Sequence, residues 1–180
     1  MLQITVPGVE LYDEKNNEFI YTKERTLQLE HSLVSISKWE SKWCKPFISK
    51  IEKTKEEVMD YVRCMTITQH VEPDVYTRLT EANYKEIENY INAPMTATTF
   101  KERQGGKKGG GIVTAEIVYY WMVSLNIPKD YEKWHFNRLL TLVRVCNEKN
   151  SPSKKMSKSE IMKQNSALNA ARRQKFNSKG

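Results

Sequence analysis

The sequence has no long hydrophobic run and only three cysteines. Its longest strongly apolar stretch, Ile117 to Leu125, is far shorter than a membrane-spanning helix. The first eight residues lack the basic start and the apolar centre of a secretory signal peptide. Cys44, Cys64 and Cys146 are an odd number without CxxC spacing, so we expect reduced thiols packed as small apolar side chains. These absences predict a soluble intracellular protein with no membrane partner.

Glycine is scarce and clustered, and the familiar catalytic patterns are missing. Five of the seven glycines lie between Gly105 and Gly111, with the lysines between them instead of after the last glycine as in a P-loop. We interpret this segment as a surface loop. The three histidines are far apart in sequence and have no second ligand at metal-binding spacing, and His135 is interpreted as a solvent-facing or capping imidazole. The sequence therefore predicts no catalytic site, no metal and no cofactor, and we expect that the protein is not an enzyme.

The net charge of +7 is unevenly placed along the 180 residues. Residues 150–180 hold eight basic residues against one acidic residue, Glu160, so residues 1–149 carry 21 residues of each sign. The division predicts a neutral globular domain, 1–149, followed by a basic linker and helical tail, 150–180.

Hydrophobic spacing predicts an α+β fold that is mainly α-helical. Apolar residues alternate with polar ones in several stretches of residues 1–30, which favours a small β element. From about 32 to 146 the spacing becomes helical, with Thr54 and Glu57 forming a capping box before one helix. The segment that starts at Thr114 is apolar nearly all round, which predicts a helix at the centre of the core. Residues 147–155 are polar and indicate a linker, and a second capping box, Ser157 to Glu160, predicts a last helix that is only partly held down.

Two tryptophans, Trp39 and Trp43, lie one helical turn apart and form an aromatic ridge. One interpretation is a core stripe. The alternative is an anchor for a protein partner, because Trp is enriched at binding hot spots.

The basic tail also leaves alternatives open. It can be a solvated terminus, a contact for nucleic-acid phosphates or a segment that docks on an acidic protein partner. Phe176 is the only aromatic residue in this stretch, which argues against base stacking but not against phosphate contact. The candidate contact residues are Lys154, Lys155, Lys158, Lys163, Arg172, Arg173 and Lys175.

Several segments resemble a known family of viral proteins. Leu29–Trp43, Lys45–Phe47, Ile117–Met122, Arg138–Leu142 and Leu168–Arg173 are similar to tail assembly chaperones and related small tail-module proteins of long-tailed, siphovirus-like bacteriophages. The similarity runs over most of the chain. It is an overall likeness and carries no catalytic signature.

The resemblance implies a non-enzymatic role in tail morphogenesis, in the cytoplasm of the infected bacterial host. Family members are thought to coat the tape measure protein and to help tail tube subunits polymerise around it, so these two proteins are the expected partners. Two other functions stay open: a nucleic-acid-binding protein that acts through the basic tail, and a structural tail or neck component retained in the virion. Self-association as a homo-oligomer stays open as well.

Overall fold

The chain divides into two compact units, Met1–Asn147 and Glu148–Gly180. The computed structural model describes residues 1–13, 17–49, 51–100, 111–150 and 158–176. The division falls inside a helix that continues to Asn150, so the start of the predicted linker at residues 147–150 is helical. The glycine-rich segment 105–110 and the Ser157 cap lie outside the described residues, as do Lys154 and Lys155.

The described elements are mainly helical, which confirms the predicted α+β class. The strands are β1 (Leu2–Val6), β2 (Glu10–Asp13), β3 (Glu18–Tyr21) and β4 (Arg25–Leu29). The α-helices are α1 (Leu33–Trp43), α2 (Lys55–Met65), α3 (Pro73–Thr77), α4 (Glu81–Asn92), α5 (Ala115–Ser124), α6 (Phe136–Asn150) and α7 (Lys158–Phe176). A 3₁₀ turn, Lys129–Lys133, precedes α6. Neither α3 nor this turn was predicted, because both are too short to show a helical period.

The strands form two antiparallel pairs, β1 with β4 and β2 with β3. In the first pair Ile4 lies opposite Leu27 and Leu2 opposite Leu29. Ile4, Val6, Leu27 and Leu29 are buried, so the predicted alternation places one face of this pair on the core. Helix α4 packs on β1, and α1 packs on both α2 and α5.

Capping side chains fix where α1 and α2 begin. Ser32 accepts a hydrogen bond from the amide of Ser35, whose hydroxyl accepts one from the amide of Ser32. Thr54 and Glu57 form the predicted capping box, with the amide of Thr54 donating to the Glu57 carboxylate at 2.8 Å. These bonds satisfy amides that have no partner in the first turn of a helix.

The prediction that α5 lies at the centre of the core is wrong. Ala115, Val118 and Met122 are buried, but Tyr120 and Val123 are 68% and 76% exposed. The three buried residues recur at spacings of three and four, so one stripe of the helix meets the core. High overall hydrophobicity hid this stripe, because apolar residues also occupy the outward face.

Candidate functional site

Trp39, one of the two predicted interaction residues, is a core residue in this structure. Its side chain is 1% exposed, and its indole Nε1–H donates to the carbonyl oxygen of Glu57 at 2.8 Å. Its ring meets the ring of Phe47 edge-on, with centroids 5.2 Å apart. Trp39 therefore joins α1 to α2, as the core-stripe interpretation describes.

Trp43 stacks on Trp39 at a centroid distance of 6.3 Å but is only half-buried. Its indole Nε1–H donates to Asp60 Oδ2 at 2.9 Å, and Lys42 forms an ion pair with the same carboxylate. Burial opposes ionisation of Asp60, but the bonds from Lys42 and Trp43 outweigh it and lower the pKa of that carboxyl. Trp43 thus keeps an accessible edge while its polar atom is already bonded, and its contact with a partner stays a prediction.

Two further carboxylates, those of Glu40 and Glu57, are buried and bonded within the fold. One oxygen of Glu40 accepts the amide of Phe47 at 2.6 Å, and the other accepts the amide of Ala115 at 2.7 Å. Glu57 pairs with Lys45, and this bond lowers the pKa of the Glu57 carboxyl. Because their oxygens bind backbone amides and a lysine, these carboxylates link loops and helix starts to the core.

A buried polar network surrounds His31 and His135, whose rings are 5.1 Å apart. Nδ1 of His31 lies 2.5 Å from the hydroxyl of Tyr61. His135 Nε2–H donates to the carbonyl oxygen of Tyr90 at 3.0 Å, and the Tyr90 hydroxyl donates to Glu30 at 2.6 Å. The network joins the start of α1 to α2, α4 and α6. The expectation of a solvent-facing His135 is wrong, because the imidazole is buried, whereas the capping alternative agrees with its bond to a carbonyl in the last turn of α4.

Burial keeps both imidazoles neutral. Burial and the neighbouring His135 lower the pKa of His31 to about 3, and burial also lowers the pKa of His135. Nδ1 of His135 is buried and has no hydrogen-bond partner among the described residues. No group of three or more His, Cys, Asp or Glu side chains within the described ranges could hold a metal ion. The sequence does not indicate this pair, because its members lie 104 positions apart in the chain.

The cysteines are free but differ in exposure. Cys64 and Cys146 are half-buried. Cys44 is exposed and ends α1 in a left-handed conformation, φ 51°, so it is not packed as an apolar side chain as predicted.

The described part of the basic tail is a single helix, α7. It spans nineteen residues and contains Lys158, Lys163, Arg172, Arg173 and Lys175. All of its side chains that the structure describes are exposed. Ile161 and Leu168, 44% and 49% exposed, lie seven residues apart and therefore share one face. Arg172, one turn beyond Leu168, continues the same face.

The unit Met1–Asn147 also exposes apolar side chains, including rings on the β2–β3 pair and residues of α5. On the β2–β3 pair the rings of Tyr12 and Phe19 lie 5.0 Å apart, and Phe19 contacts Tyr21. These three rings are exposed, as are Tyr120 and Val123 on the outward face of α5. Exposed aromatic and apolar surface of this kind is common at protein-interaction sites.

No protein-family model, curated protein or solved structure matches the chain. The described helices include none that is long and apolar enough to cross a membrane. The resemblance to phage tail proteins therefore stays a prediction.

Proposed function

We propose that this chain is a non-enzymatic protein-binding factor of the tail assembly chaperone kind, and that α7 docks in an acidic groove of its partner. The observation that supports the proposal most directly is the exposure of the whole described helix, including the apolar pair Ile161 and Leu168. Helices that bind in grooves present apolar anchors at such spacing.

The energetics favour a partner for this helix. Most helix stability in proteins comes from packing of an apolar face, and every described side chain of α7 is exposed. Ile161 and Leu168 would gain burial in a groove, at about 25 cal/mol for each Å² of apolar surface removed from water. Binding would then bury both anchors together.

The charge distribution indicates the sign of the partner surface. Glu148–Gly180 contains nine basic and two acidic residues, a net charge of +7, whereas Met1–Asn147 contains 20 of each. Attraction to an acidic surface would speed encounter and would weaken as salt is added. The family resemblance points to the tape measure protein and the tail tube protein as partners, in the host cytoplasm.

Co-expression with the tape measure protein tests the proposal. The wild-type chain should co-purify with it, and the double variant Ile161→Ser, Leu168→Ser should not. Ala167→Ser is the matched control, because Ala167 precedes Leu168 and points away from that face. Failure of the wild-type chain to form a complex, or equal recovery of the anchor variant, contradicts the proposal. Recovery of the protein from purified virions would favour a retained structural component.

The five described basic residues of α7 favour phosphate contact as a second candidate function. Nucleic-acid binding through them would weaken steeply with salt, because each neutralised phosphate releases a counterion. Gel-shift titration with duplex and single-stranded DNA checks this. If the triple variant Arg172→Gln, Arg173→Gln, Lys175→Gln binds DNA as tightly as the wild type, nucleic-acid binding through α7 is contradicted.

A further inference from the structure

A pocket of about 340 Å³ lies between the loop that follows α4 and one face of α6. The α6 side contributes Arg138, Thr141 and Leu142, with Trp134 just before the helix. The opposite wall is formed by Met95, Thr96, Ala97 and Thr98. All of these residues belong to the unit Met1–Asn147.

The loop is fixed to α6 by hydrogen bonds. The side-chain amide of Asn137 donates to the carbonyl oxygens of Ile91 and Ala93, both at 2.8 Å. Met95 then turns the chain with a positive φ of 49°, an uncommon conformation for a residue with a side chain. The amide of Thr98 donates to the Thr96 hydroxyl at 3.1 Å. The chain just before the pocket wall is therefore bonded to α6, and one bond inside the wall stabilises its turn.

Arg138 is pre-oriented at this pocket by aromatic stacking. Its guanidinium carbon lies 4.0 Å from the centroid of the Trp134 ring. Trp134 in turn stacks on Tyr131, with centroids 4.1 Å apart and planes 15° from parallel. Stacking restrains the planar guanidinium and leaves its N–H groups free to donate, so less conformational freedom is lost on binding.

The charge of the pocket selects an anion. Among the lining residues that the structure describes, Arg138 carries the only formal charge, and no described carboxylate forms an ion pair with it. A larger groove of about 800 Å³ between α2 and α4 differs in this respect. It is lined by three lysines and two glutamates, so its charges do not select one sign as clearly.

The size and composition of the pocket favour a carboxylate over a phosphate. One guanidinium fork can bind two oxygens of either a carboxylate or a phosphate, but its single positive charge balances a carboxylate and leaves a phosphate dianion with an excess negative charge. Met95, Ala97 and Leu142 supply apolar surface for the methylene groups of an acidic side chain. We propose that this pocket binds an Asp or Glu side chain in an acidic segment of a partner protein. The inference rests on the proposed function for the kind of partner, a protein, but uses a surface other than α7.

NMR titration of the full chain tests the assignment. The probe is N-acetylglutamate amide, which has one carboxylate, and its comparison is the uncharged glutamine analogue. The Arg138 Nε–H and Trp134 indole resonances should shift saturably with the first probe and not with the second. Equal shifts with both probes would overturn the proposal, as would tighter binding of inorganic phosphate.

Variants of Arg138 show whether binding needs the paired N–H donors of the guanidinium or only a positive charge. Arg138→Gln should weaken probe binding by about tenfold or more, because it removes the charge-assisted pair of hydrogen bonds. Arg138→Lys should also weaken it, because an ammonium cannot form the bidentate pair. Lys133→Gln removes the same charge from an exposed residue that does not line the pocket, and should leave binding within about twofold. Unchanged binding in Arg138→Gln, with amide dispersion preserved elsewhere, would contradict the assignment.

The test also separates this inference from the function proposed for α7. The double variant Ile161→Ser, Leu168→Ser should bind the glutamate probe as the wild type does. If α7 fails to recruit a partner while the Arg138 resonance still responds, the proposed role of α7 is wrong and the pocket assignment stands. If the Arg138 resonance does not respond while α7 recruits its partner, the pocket assignment is wrong.

Discussion

At the scale of single residues, the same side-chain types serve different purposes according to burial. Trp39 and Trp43 are one turn apart, yet one is enclosed between α1 and α2 and the other keeps an exposed edge. Both indole N–H groups are bonded within the unit, to Glu57 and to Asp60. Stability should therefore depend much more on Trp39 than on Trp43.

Truncation of these tryptophans tests that difference. Trp39→Ala should lower the free energy of unfolding by about 3–5 kcal/mol, because it leaves a large cavity in the core. Trp43→Ala should cost less, and Tyr120→Ala, at an exposed site, should stay within about 0.5 kcal/mol. Urea denaturation measures all three. A cost for Trp39→Ala no larger than for Tyr120→Ala would contradict the core assignment.

The buried histidines give a prediction about pH. The unfolded chain takes up protons on His31 near pH 6.5, whereas the folded chain resists protonation down to about pH 3. The stabilising contribution is therefore complete above pH 6.5 and is lost as pH falls, by up to about 1.4 kcal/mol per pH unit for a single histidine. Urea denaturation between pH 7 and 5 should show this fall in wild type.

His31→Gln should flatten the pH dependence over this range, because no imidazole remains at that site to be protonated on unfolding. His70→Gln is the matched control, since His70 is exposed. A slope in His31→Gln as steep as that of wild type would show that other groups cause the fall.

At the scale of elements, buried carboxylates connect pieces that secondary structure alone does not join. Glu40 on α1 accepts the amide of Ala115, the first residue of α5, and the amide of Phe47. A helix start that is satisfied from another helix fixes the position of the two elements. α1 and α5 also pack against each other.

Glu40→Gln tests this link. A glutamine offers one neutral acceptor oxygen in place of two charged ones, so one amide loses its acceptor and the other loses a charged partner, at a cost of about 1.5–3 kcal/mol. Glu86→Gln, on the exposed side of α4, is the control and should change stability by less than about 0.5 kcal/mol. Thermal or urea unfolding measures both variants, and equal costs would contradict the role of Glu40.

Local signals in the sequence predicted local structure. Alternation predicted β1 and β4, and the Thr54–Glu57 pattern predicted the start of α2. Hydrophobic spacing could not orient α5, since both its faces are apolar. It also could not find the His31–His135 pair or the pocket at Arg138, because each joins segments that are distant in sequence.

At the scale of the whole molecule, composition separates a balanced unit from a basic one. Met1–Asn147 has no net charge, and core packing, helix capping and the buried polar network stabilise its fold. Glu148–Gly180 holds the charge, and its described helix exposes its apolar anchors. This division is the reason to expect recognition of an acidic partner by α7.

The most direct test of that claim compares two single charge deletions on α7. Arg172 lies on the face of Ile161 and Leu168, whereas Lys163 lies on another side of the helix. In calorimetric titration of the full chain with the tape measure protein, Arg172→Gln should weaken binding severalfold more than Lys163→Gln, with wild-type affinity falling as salt rises. Equal affinities of the two variants, or binding insensitive to both Leu168→Ser and salt, would contradict docking of α7 through this face.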